Sequence, residues 1–170
     1  MTVKEVIEKS AELLGIELTD ENTERLLTAY NLVENELAMY YFPLRSVDKL
    51  LVQDNKIKYA ELSKKAWRIM GVCDENSKEV KYKLYPQYMT IEKKYNGKYC
   101  FVRYAYVPKE KELDGISDFD KGVFEDIFRY GVCAEYCWAN GEFEQASVWN
   151  GKYKNATNLS WVKWKTKGEE

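Results

Sequence analysis

The apolar residues of this chain change their period twice, and that most narrowly limits what it can fold into. The spacing is helical as far as Phe42, becomes two from Arg45 to Pro108, and turns helical again after Phe119. Such a chain is α+β: a bundle of about four helices with an antiparallel β insertion projecting from it. Val3, Val6, Ile7 and Leu14 predict a first helix over 2–15, with Gly15 placed to end it. Thr19, Asp20, Glu21 and Asn22 supply cap chemistry and early acids for a second helix over 20–42. Its stripe is Leu26, Tyr30, Val33, Leu37, Tyr40 and Tyr41, and Pro43 stops it. A third helix, 119–140, carries Phe124, Ile127, Phe128, Gly131, Ala134 and Trp138, where Gly131 and Ala134 admit another backbone closely. Gly141 caps it, and a fourth helix over 142–157 is expected to bury Phe143, Ala146, Trp149, Tyr153 and Ala156.

The β insertion spans 45–108. Leu50 to Val52, an Asp54-Asn55 turn and Lys56 to Tyr59 read as a hairpin, and Ala66 to Cys73 as a strand closed by Asp74 to Ser77. Glu79 to Leu84 and Tyr88 to Lys93 follow, with Asn96-Gly97 as a tight turn. Tyr99 to Val107 is apolar on both faces, which predicts a central strand covered on both sides. One domain over 1–158 is therefore expected, followed by an extended C-terminal arm, 159–170.

Chemistry is scarce. The 170 residues include no histidine, which removes the commonest general base and metal ligand. Cys73, Cys100, Cys133 and Cys137 form no CxxC pair and read as small buried hydrophobes. Asp118, Asp120, Glu125 and Asp126 cluster where a helix begins, and acids are favoured there electrostatically without any catalytic role. No P-loop, dinucleotide fingerprint or GxSxG occurs, so neither an enzyme nor a cofactor, metal site or catalytic residue is expected. No signal peptide or membrane-spanning run is present, which predicts a cytosolic protein at synthesis.

Charge is unevenly divided. Residues 43–109 carry 15 basic against 7 acidic side chains, whereas residues 1–42 carry 3 against 9 and residues 110–147 carry 3 against 10. The Lys-rich β segment has Tyr82, Tyr85, Tyr88 and Tyr95 beside Lys81, Lys83, Lys93 and Lys94. Stacking rings among cations would suit nucleic acid, so a nucleic-acid-binding phage or bacterial protein is the alternative function. Any solvated antiparallel sheet alternates in the same way.

The order of parts is joined by three local signatures: DNKIKYAELSKKAWRIMGVCDENSKEVKYKL (54–84), CFVRYAYVPKE (100–110) and VCAEYCWANGEFEQASVWNGKYKNA (132–156). Together they resemble the head–tail adaptor, or connector, proteins of tailed phages and prophages of Gram-positive bacteria. The resemblance covers nearly the whole chain. It implies a structural virion protein at the neck, assembled from the host cytoplasm as a dodecameric homo-oligomer beneath the portal protein. Such a ring joins the portal to the tail or the next neck protein, and genome DNA passes through it without specific binding. It also implies that the arm inserts between portal subunits, which makes Leu159, Trp161, Val162, Lys163, Trp164 and Lys165 the candidate portal interface. Tryptophans beyond a helix end, with no clear place in the core, suit such docking independently.

Overall fold

The structure, a computed structural model, describes residues 1–119 and 121–167, and of 121–123 and 162–167 the backbone alone. The chain is α+β and divides into two units, one of Met1–Phe42 with the residues from Lys109 onward, the other Pro43–Pro108.

The first unit holds four helices: α1 (Val3–Leu14), α2 (Asp20–Glu36), α3 (Lys121–Ala139) and α4 (Phe143–Lys167). Thr2 opens α1 with a capping box, its hydroxyl accepting from the Glu5 N–H while its own N–H donates to the Glu5 carboxylate. Gly15 closes α1 at φ 67°, where a side chain would be strained although space is open. Thr19 caps α2 by accepting from the Asn22 N–H. Helix α3 packs against α1, α2 and α4 and is the centre of the unit. Aromatic rings run through its core in sequence: Tyr30 against Phe128, then Phe119, Phe124, Phe42 and Trp161, with centroids 4.8–5.9 Å apart. Edge and offset contacts of this kind add to the large areas such rings bury.

Two expectations are corrected here. The stripe of α2 keeps Tyr41 half-buried but loses Tyr40, because Leu37–Tyr41 forms a π-helical turn in which the Phe42 N–H bonds back to the Leu37 carbonyl. The widened turn puts Phe42 into the core and turns Tyr40 outward, 74 % exposed. The fourth helix does not end near Thr157. It runs on through Leu159 to Lys167, so the expected extended arm is helical there. The Thr157 hydroxyl bonds back to the Tyr153 carbonyl at 2.8 Å, which leaves it inside the helix, and no Pro or Gly follows before Gly168.

The second unit contains β1 (Arg45–Leu51), β2 (Lys56–Lys58), β3 (Ala66–Cys73), β4 (Tyr82–Leu84), β5 (Tyr88–Ile91) and β6 (Tyr99–Tyr106). They form two antiparallel three-stranded sheets, β1-β6-β3 and β2-β5-β4. Val52, Ile57, Val72, Met89, Cys100, Val102 and Tyr104 come from both sheets and fill one core. Asp48 ties β1 to the loop before β3. Its carboxylate accepts from the Ser63 N–H (2.7 Å), the Ser63 hydroxyl (2.8 Å) and the Tyr104 hydroxyl (2.7 Å). Burial opposes its ionisation, but these donors outweigh it and hold the carboxyl below its ordinary value.

The Asp54-Asn55 turn forms as expected, with both residues at positive φ (50° and 59°) and Gln53 bridging Lys56. The hairpin does not continue, since β1 pairs with β6 while β2 pairs with β5. The run from Glu79 contributes a strand only at Tyr82–Leu84, and the run from Tyr88 stops at Ile91, before a 3-10 turn at Lys93–Tyr95. Strand β6 is central, and its second face is covered only in part. Cys100, Val102, Tyr104 and Tyr106 are buried, whereas on the opposite face Ala105 is buried and Phe101 half-buried, but Tyr99 and Arg103 are exposed.

Candidate interaction surfaces

The acidic cluster at the start of α3 is spoken for. Asp118 accepts from the Lys111 ammonium at 3.0 Å, Glu125 from Lys9, and Asp126 from Arg129. Asp120 lies outside the described residues. Each placed carboxylate has its own cation, and they do not converge on one point. Among the described residues no three Cys, Asp or Glu side chains gather as metal ligands would. Burial pushes the Cys133 thiol up to about 12 and the Cys137 thiol up to about 11, so both remain protonated and unreactive.

A different carboxylate is the most unusual polar group of the helical unit. Glu34 is buried on α2, in the midst of its apolar face. Its Oε1 accepts from the Ser117 hydroxyl (2.9 Å), the Asp118 N–H (3.1 Å) and the Tyr30 hydroxyl (3.2 Å). Its Oε2 has no hydrogen-bond partner among the described residues. Burial raises its pKa, against the lowering pull of Ser117, the Asp118 N–H and the Lys111 charge. Beside it, Asn31 accepts from the Lys111 N–H at 2.7 Å and donates to the Lys111 carbonyl at 3.1 Å. This constellation pins the 109–118 connection to α2. Sequence reasoning passed over Glu34. The available signal is its position, four residues after Tyr30 and three before Leu37, inside the stripe.

The candidate portal residues divide. Leu159 is 68 % exposed. Trp161 is half-buried, its ring 5.9 Å from that of Phe42, so it packs on its own unit. The side chains of Val162, Lys163, Trp164 and Lys165 lie outside the described residues. Helix α4 packs on α3 and buries Ala146, Tyr153 and Thr157. Of its other expected core residues, Trp149 and Ala156 are half-buried and Phe143 is 62 % exposed. Phe143 instead contacts Trp138, itself exposed, at 5.5 Å across the turn between α3 and α4, and Val148 is also open to solvent.

The Lys/Tyr group of the β unit also splits. Tyr95 is buried, with its hydroxyl 3.4 Å from Asp74, and Lys94 pairs with Glu92 at 2.7 Å. Tyr85 and Tyr88 stack at 5.0 Å, with the Lys83 ammonium 5.4 Å from the Tyr85 ring centre and that of Lys56 4.9 Å from the Tyr88 ring centre. Lys81, Lys83 and Lys93 are exposed.

Compared with known proteins, the chain matches no protein family and no curated sequence.

Proposed function

We propose that this chain is a structural, non-enzymatic subunit of a tailed-phage particle. It would assemble as a ring, join the portal to the tail or the next neck protein, and let the genome pass. The observation that carries this reading is the outer face of α4. A 25-residue helix that buries Ala146, Tyr153 and Thr157 leaves Val148 and Leu159 in water, and Phe143 is exposed against Trp138 at its first turn. Exposed apolar groups spaced along one helix and its turn suit a surface that another subunit covers. The helical unit is also acidic, which suits the wall of a channel through which DNA must slide without sticking.

The reading is tested on particles. Antibody against the chain should label the head–tail junction in electron micrographs, and mass measurement should give the copy number of a ring. Absence of the chain from purified, infectious particles would overturn it.

A further inference from the structure

The β unit contains an interrupted ladder. At one end, β3 is joined to the segment leading into β4: the Val80 N–H bonds to the Val72 carbonyl (2.9 Å), the Asp74 N–H to the Lys78 carbonyl (2.9 Å), and Cys73 bridges Glu79. Continued in that register, the ladder would set Ile69 opposite Lys83, Arg68 opposite Leu84 and Trp67 opposite Tyr85. It does not continue. Among the described residues no backbone hydrogen bond joins Ala66–Ile69 to Tyr82–Tyr85, and both β3 and β4 are edge strands. Register irregularities at Ala66/Arg68 and Ile69/Gly71 in β3 account for the parting, because a bulge bends its strand and increases its twist.

A cavity of about 420 Å³ occupies the gap, lined by Tyr59, Ala66, Trp67, Arg68, Ile69, Leu84 and Tyr85. A second hollow of about 410 Å³ shares Tyr59 and reaches Lys58, Pro86 and Tyr88. The walls are apolar and aromatic, and two strand edges face the opening. Arg68 and Lys58 line the two hollows, and the ammonium groups of Lys83 and Lys56 lie against the rings of Tyr85 and Tyr88 at their rim, while no acidic side chain is among the lining residues. The whole unit carries 14 basic and 7 acidic side chains.

We propose that this cleft binds an extended acidic segment of a partner protein, in which aliphatic and acidic residues alternate. The segment adds as a strand to the open edge of β3. Its backbone takes the unused edge groups, its aliphatic side chains enter the Trp67, Ile69 and Leu84 pocket, and its carboxylates meet Arg68 and Lys83. Single-stranded nucleic acid fits less well. Tyr85 and Tyr88 stack on each other and each carries a lysine on its outer face, so their faces are not open to a base. The proposal concerns residues 43–108 only and does not depend on the phage assignment.

The test uses fluorescein-labelled peptide (Glu-Val)₄ and the full chain, read by fluorescence polarisation. Saturable binding is expected. The same peptide N-methylated throughout, and a (Lys-Val)₄ peptide, should each bind roughly tenfold more weakly or worse. Arg68→Glu and, separately, Lys83→Glu should reduce binding of the acidic peptide to a similar extent, with circular dichroism confirming that each variant is folded. The proposal is overturned if (Glu-Val)₄ does not bind at millimolar concentration, or if the N-methylated peptide binds equally well. Tighter binding of a labelled oligo-dT would overturn it in favour of nucleic acid.

Discussion

Two residues of the helical unit separate what charge does from what shape does. Glu34 serves three donors through one oxygen, so Glu34→Ala strands all of them in a buried place and is expected to lower stability by about 1–3 kcal/mol in urea unfolding. Glu34→Gln keeps an acceptor for those donors. Because the folded-state pKa of Glu34 is raised, its contribution is fully present below its unfolded pKa and declines as pH rises through the folded value. The gap in stability between the parent and Glu34→Gln should therefore move in favour of the variant as pH goes from 4 to 7. A pH-independent gap would show that folding leaves the pKa of Glu34 unchanged. Gly131 is a matter of shape: a Cβ there would lie 2.9 Å from Val33 Cγ1 and 3.1 Å from Tyr153 Cδ2, both side chains being buried. Gly131→Ala gains about 1 kcal/mol of helix propensity but meets an overpacking cost of about 1–3 kcal/mol. Net destabilisation is expected, and Val33→Ala combined with it should recover part of the loss, a coupling that a double-mutant cycle would register.

At the scale of elements, α4 divides into residues that hold the fold and apolar residues left in water. Trp161 rests on Phe42 at the end of the aromatic series, so Trp161→Ala should lower the melting temperature, by an amount equivalent to about 1–3 kcal/mol for a half-buried ring. Leu159 is exposed, and Leu159→Ala should leave stability within about 0.5 kcal/mol of the parent and, on the proposed function, weaken attachment to the portal. Thermal melts of the free protein and co-sedimentation with particles lacking the chain measure the two effects. Equal melting temperatures for Trp161→Ala and the parent would return that side chain to the interface.

At the scale of the molecule, charge is partitioned along the same boundary as structure. The 43–108 unit is basic and the helical unit acidic. Net basicity alone would draw phosphates, so DNA affinity is the measurement that separates an adaptor from a nucleic-acid binder. For the adaptor, duplex DNA should bind weakly at physiological salt and not at all in twice that concentration, because each neutralised phosphate makes binding steeply salt-dependent. Electrophoretic mobility shifts across a salt series would show this. Tight binding lost on replacing Lys81, Lys83, Lys93 and Lys94 would promote the alternative.

What the sequence determined by itself was local. Apolar period, the caps at Thr19 and Gly15, the Asp54-Asn55 turn and the bounds of β3 follow from neighbours a few residues away, which is why the α+β architecture and the 45–108 insertion were legible. Distant contacts decided the rest. Ser117 meets Glu34 across 83 positions, and no local pattern says that a carboxylate in an apolar stripe will find those donors. The π-helical turn at Leu37–Tyr41 gains a reason only once Phe42 meets Phe124 and Trp161. The run 159–161 reads as part of a detached arm until the ring of Trp161 finds that of Phe42. The cleft between β3 and β4 exists because irregularities on one strand turn it from a partner that an uninterrupted register would have joined. Each of these outcomes depends on long-range packing, where the energy of a contact is set by what the fold brings to it and not by the residue's own preference.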